Sequence, residues 1–123
     1  MKLTISSLPP STNQLERMHW AVKKRMRSSF AWELVAALGE TDMPLPPLLI
    51  GPKAPKRRIA ITIYRPRLLD DDNCAGGLKP LLDAMRDLGL LRNDSPKWMD
   101  LVKPVQYVSK DNQRTEILIE DLG

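Results

Sequence analysis

The chain has 123 residues, 42% of them hydrophobic and 28% charged, which suits one ordinary hydrophobic core and a soluble globular protein. No apolar run approaches the roughly 20 residues that span a bilayer, and MKLTISSLPP has no long apolar segment, so neither a membrane helix nor a secretion signal is expected. One cysteine, Cys74, excludes an internal disulfide and favours a reducing, cytoplasmic setting, while a net charge of +4 suits an anionic partner without identifying one.

Residues 2–6 alternate in the manner of a strand, and LPPSTN then breaks the pattern with Pro9 and Pro10. From about Trp20 to Leu38 the spacing predicts a helix, because Val22, Met26, Phe30, Leu34 and Leu38 recur at every fourth position and Gly39 is a natural stop. Lys23, Lys24, Arg25 and Arg27 crowd its first half. The stretch MPLPPLLIGPKAPK, with five prolines, suits neither a helix interior nor a central strand and reads as an ordered loop within one domain spanning 1–123. Arg57 to Tyr64 is the clearest strand, with Ile59, Ile61 and Ile63 alternating with Ala60 and Thr62, and Pro66 limits further pairing. Leu78, Leu81, Leu82, Met85 and Leu88 form the apolar stripe of a second helix, with Pro80 in its first turn and Gly89 at its end. Two strands, about 102–108 and 115–120, flank SKDNQR as a hairpin. The sum is an α+β fold: a small mixed or antiparallel sheet with two main helices.

Between the arginine-bearing strand and the second helix lies RLLDDDNCAGGLKP, where three consecutive carboxylates, Asp70, Asp71 and Asp72, repel one another. Two readings account for them. In one, Asp70 to Asn73 cap the second helix, where an acid gains about 0.3–1 kcal/mol from the helix dipole; a cap needs only one or two such residues. In the other, the turn is a metal site. Side chains at i and i+2 of an extended backbone point the same way, so Asp70 and Asp72 converge while Asp71 points elsewhere. Carboxylate oxygens are the ligands Mg²⁺ prefers, with waters and phosphate oxygens completing its shell. Asp94, in RNDSPKW, is the candidate third ligand, and it requires the chain after Gly89 to run back along a helix of about 15 Å. Spacing alone does not choose between the two.

The longer stretch RLLDDDNCAGGLKPLLDAMRDLGLLRND resembles the RusA family of Holliday junction resolvases, small Mg²⁺-dependent endonucleases common in phages and prophages. The family pattern is Asp-x-Asp-Asn after a strand, a lysine opening a helix, an Asp-Ala pair, a glycine and an acidic pair. Here these elements look like Asp70-Asp71-Asp72-Asn73, Lys79, Asp83-Ala84, Gly89 and Asn93-Asp94. Pro9, Pro10, Ser11 and Asn13 are similar to the family's Pro-Pro-Ser-x-Asn segment. The chain departs from the pattern in three places: Cys74 to Gly77 look like a short insertion before Lys79, Asn93 replaces one acid, and Pro96 stands where glutamine is common. The resemblance implies a RusA-like fold, with Asp70, Asp72 and Asp94 holding Mg²⁺ (Mn²⁺ a possible substitute). It also implies a branched, four-way DNA junction as substrate and a homodimer placing one site on each of two strands.

Under that reading Lys79 adds positive charge near the scissile phosphate; otherwise it is a solvated lysine slightly opposed by the helix dipole. Asn73 steadies the aspartates as a donor, or caps. Gly76 and Gly77 admit DNA closely, or form a flexible lead-in. Lys23, Lys24, Arg25 and Arg27 on the helix, and Arg57, Arg58, Arg65 and Arg67 with Lys53 and Lys56 around the strand, are candidate phosphate contacts or a solvated surface. Arg65 and Arg67 would share a strand face leading to Asp70. His19 beside Trp20 is a candidate for DNA contact or proton transfer, although a lone histidine is more often structural; Trp20, Trp32 and Trp98 are expected in the core or an interface, and Cys74 to have no nucleophilic role. The competing function is a non-catalytic DNA-binding or phage regulatory protein whose acidic cluster only caps a helix.

Overall fold

A computed structural model describes residues 1–40, 56–92 and 95–122 of the chain. The expected proline-rich loop therefore lies almost wholly outside the described residues, as do Lys53, Asn93 and Asp94.

The isoleucine alternation forms β2 (Arg57–Arg65), whose odd-numbered residues are all buried. β5 (Arg114–Asp121) pairs with it antiparallel over its length, from Arg57↔Asp121 to Tyr64↔Arg114. β1 (Lys2–Ile5) adds antiparallel to β5. β3 (Met99–Leu101) and β4 (Val105–Val108) both pair with β2 in parallel, so the sheet is mixed, with the order β1-β5-β2-β3 and β4 also on β2. Two expectations are corrected here. The strand over 102–108 is split: Val102 donates its N–H to the Ile59 carbonyl (2.9 Å), and Pro104, which has no N–H, interrupts the ladder. SKDNQR does not close a hairpin, because β4 and β5 each pair with β2 and not with each other. That arrangement surrounds the most apolar strand on both edges.

Four helices occur among the described residues. α1 (Thr12–Arg17) was not predicted, although its signal stands in the sequence as Ser11-x-x-Gln14. The Gln14 N–H donates to Ser11 Oγ (3.0 Å) and the Ser11 N–H donates to Gln14 Oε1 (2.9 Å), a reciprocal capping box. α2 (Trp20–Glu40) continues through Gly39 and buries Phe30, Leu34 and Ala37. A spacing of four drifts by about 40° per step on a helix of 3.6 residues per turn, which is why Val22 ends 37% exposed. The single capped helix expected after the acidic cluster is instead two, α3 (Asp71–Gly76) and α4 (Lys79–Asp87). α4 closes at Gly89, whose φ of 75° favours glycine, with the Leu90 N–H donating to the Met85 carbonyl (2.9 Å).

The core lies between one sheet face and the helices. Leu3, Ile5, Ile59, Ile61, Ile63, Ile117 and Ile119 come from the strands; Phe30 and Leu34 of α2 and Leu81 and Met85 of α4 cover them. The sheet is antiparallel where β1, β5 and β2 meet, and its second face is polar: Tyr64 stacks on Tyr107 (5.4 Å between ring centres) under Arg114, and Lys2 pairs with Glu116 (3.1 Å). Among the described residues no helix is long and apolar enough to cross a membrane.

Candidate functional site

The acidic turn begins where β2 stops. Pro66 ends the strand, and the next backbone to be fixed is Leu69. Gln106 of β4 holds it from both sides, its Oε1 accepting the Leu69 N–H (3.1 Å) and its Nε2 donating to the Leu69 carbonyl (2.9 Å). A side-chain amide here takes the place of a strand partner. Asp70 follows as the N-cap of α3, with extended backbone (φ −65°, ψ 161°). Its Oδ1 accepts the Asn73 N–H (2.8 Å) and its Oδ2 accepts the Asn73 side-chain amide (2.9 Å). Asp71 pairs with Lys103 (2.9 Å), a hydrogen bond that raises the lysine's pKa. Asp72 is exposed, and its carboxylate has no partner among the described residues.

The strand alternation expected to align Asp70 and Asp72 is absent, because Asp70 alone is extended and the helix starts at Asp71. The structure brings the amino-terminal Pro9-Pro10-Ser11 segment against the acidic turn. The Thr12 hydroxyl contacts the carbonyls of Asp72 (3.3 Å) and Asn73 (3.2 Å), fastening the segment after Pro9-Pro10-Ser11 to the acidic turn. Gly76 and Gly77 make that approach possible. A Cβ on Gly77 would stand 1.7 Å from the Pro10 carbonyl oxygen, and one on Gly76 would stand 2.1 Å from Thr12 Oγ1. These glycines are helical or helix-capping rather than a flexible lead-in, and the protein's own chain comes close to them.

Asp70 and Asp72 fit Mg²⁺ in donor type, as exposed carboxylates that leave room for the ion's waters. Each Asp70 oxygen keeps a lone pair beyond its bond to Asn73. Among the described residues no three His, Cys, Asp or Glu side chains gather into a metal-holding group, and the expected third ligand, Asp94, lies outside them.

The cations divide into three groups. Lys23, Lys24 and Arg27 of α2 line one cavity of about 350 Å³ together with Lys79 and Asp83 of α4. Asp83 gathers three of the basic residues, with Lys79 at 3.6 Å, Arg86 at 3.7 Å and Arg27 at 4.0 Å. Arg27 also grips Asp87 through two hydrogen bonds, which raise the arginine's pKa and lower that of the acid. Arg25 is exposed nearby, along a second groove beside Met26. The strand arginines are a correction. Arg57 is fully buried, donating from Nε to Asp121 and from Nη1 to the Leu90 carbonyl (2.7 Å each), so in this fold it meets no phosphate. Arg58 lies on the other sheet face, paired with Asp100 (2.9 Å). Arg65 is 6% exposed and ends the strand, so it shares no strand face with Arg67, which is exposed beyond Pro66.

His19 precedes α2 and accepts the Ala21 N–H on Nδ1 (3.2 Å), a structural role. Trp20 and Trp32 are 69% and 75% exposed, which removes them from the core, whereas Trp98 is half-buried beneath Arg92 (3.9 Å). Burial pushes the Cys74 thiol's pKa up, against nucleophilic use. Gln106 and Thr12 escaped the sequence reading because each acts on backbone far along the chain. No protein-family model matches the chain, and no curated protein matches it.

Proposed function

We propose that this protein is a Mg²⁺-dependent endodeoxyribonuclease for branched DNA, a four-way junction above all, working as a cytoplasmic homodimer of RusA type. The observation that carries this reading is the exposed acidic turn, clamped on one side by Gln106 and on the other by Thr12. A surface cap needs no such support; a site that must hold two carboxylates in place does. Asp70 and Asp72, with Asp94, would hold the ion, and Asn73 fixes the orientation of Asp70. A bound Mg²⁺ supplies water activation and neutralisation of phosphate charge. Lys23, Lys24 and Lys79 attract the DNA backbone, which adds affinity that falls with salt and carries little sequence information.

Two observations favour the second reading, a DNA-binding protein without catalysis: Asp70 does cap a helix, and Asp71 is occupied by Lys103. The two separate on a labelled synthetic four-way junction incubated with Mg²⁺ or with EDTA. Paired nicks that need the metal support the nuclease; tight binding without cleavage under any divalent ion supports the alternative.

A further inference from the structure

Asp71, the middle carboxylate of the acidic turn, has no place among the expected metal ligands, and the structure gives it a partner of its own. Lys103 Nζ lies 2.9 Å from Asp71 Oδ2, and both side chains are largely exposed, at 75% and 71%. Lys103 belongs to the connector between β3 and β4, which is held at each end. On one side Val102 donates its N–H to the Ile59 carbonyl (2.9 Å); on the other, Pro104 leads into β4, whose Gln106 holds the Leu69 backbone. The lysine's backbone is thus fixed beside the turn while its ammonium stays in solvent. An ammonium carries three donors, and Asp71 is the one partner it has among the described residues, so two donors remain for a ligand. The hydrogen bond to Asp71 raises the lysine's pKa and keeps it cationic. Among the described residues no other cation pairs with an aspartate of the turn. Lys79, the lysine that the sequence pattern points to, is placed differently, 3.6 Å from Asp83 and lining the cavity that α4 shares with α2.

We propose that Lys103 is a substrate-contacting residue: its ammonium, kept at the turn by Asp71, donates to a non-bridging oxygen of the DNA phosphate bound there. Asp71 is then a positioning residue, and the three consecutive aspartates divide the work, Asp70 and Asp72 for the ion and Asp71 for the lysine. The flexible four-carbon stem lets the ammonium pass from Asp71 to a phosphate with no change in the backbone. A positive charge at that oxygen gains in value as negative charge builds on the phosphate during hydrolysis. The effect on cleavage rests on the nuclease reading; the phosphate contact does not.

The test uses the full chain and a labelled four-way junction, bound first in EDTA and then cleaved with Mg²⁺ under single-turnover conditions. In EDTA, Lys103→Met should reduce the slope of log K against log salt by about one, whereas Arg58→Ala, on the other sheet face, should not change it. With Mg²⁺ the cleavage rate of Lys103→Met should fall roughly tenfold or more, and Lys103→Arg, which keeps the charge, should recover most of it. Asp71→Asn still offers the ammonium an oxygen and should stay within about fivefold of the wild type. Melting temperatures should be nearly equal throughout, because an exposed ion pair adds little to stability; a merely structural role would move them. A reduced slope with no Mg²⁺-dependent cleavage by the wild type overturns the nuclease reading and leaves the phosphate contact standing. An unchanged slope, or cleavage by Lys103→Met as fast as by an active wild type, overturns the role of Lys103.

Discussion

Replacing Gly77 by alanine sets two opposed effects against each other, and the structure decides which wins. Gly77 has φ −76° and ψ −8°, a conformation alanine adopts freely. By backbone entropy alone the substitution would stabilise the fold by about 0.4–1 kcal/mol. The new Cβ, however, would lie 1.7 Å from the Pro10 carbonyl oxygen, whereas contacts under 3.0 Å are essentially never seen, so backbone must move by at least 3.0 − 1.7 = 1.3 Å. Overpacking of this kind costs about 1–3 kcal/mol, and the upper end applies because the obstacle is main chain flanked by prolines. At about 4 °C per kcal/mol for a domain of this size, thermal denaturation should show a loss of roughly 5–10 °C. Gly76→Ala should be milder, because the atom in its way is a rotatable threonine hydroxyl, and Thr12→Ala should relieve much of the cost. Gly39→Ala, with no atom of the described residues within 4 Å of its Cβ, is the control and should stabilise α2 by about 0.5–1 kcal/mol. A Gly77→Ala protein as stable as the wild type would refute the close packing of the amino-terminal segment on the acidic turn.

Gln106→Ala removes both bonds to Leu69 and should lower stability by about 1–2 kcal/mol in denaturant titration, with junction cleavage falling further than stability accounts for. Lys23→Ala and Lys24→Ala should each reduce the slope of log K against log salt for DNA binding by about one, whereas Arg58→Ala, whose partner is Asp100, should leave it unchanged. The Asp87 pKa is depressed, chiefly by its hydrogen bond from Arg27. The stability it contributes is therefore present above the unfolded carboxylate pKa and lost as pH falls through the lower folded value. Arg27→Gln should flatten that acidic limb in melting curves recorded from neutral pH downwards.

Much of the frame was legible in the sequence. Ile59, Ile61 and Ile63 gave the central strand, and the Leu78 to Leu88 stripe gave the second main helix, because periodicity reports directly on burial. Ser11-x-x-Gln14 carries the capping-box signal of a helix start. The split at Pro104 and the placement of β4 beside β2 depend on which strand edge is free, which alternation does not encode. The acidic cluster stands out in the sequence, but its local form does not follow strand geometry, because an N-cap aspartate draws the residues after it into a helix. Arg57 and Arg65 read as surface cations because arginines seldom lie inside. Their odd-numbered register with the isoleucines was the signal that they do.

The measurement that bears most directly on the account compares Asp72→Asn with Asp71→Asn in Mg²⁺-dependent cleavage of a four-way junction. Asp72 has no protein partner among the described residues, whereas Asp71 is held by Lys103. The account predicts that Asp72→Asn abolishes nicking while junction binding persists, and that Asp71→Asn remains active. Equal cleavage by wild type and Asp72→Asn would contradict it and leave the acidic turn as a helix cap.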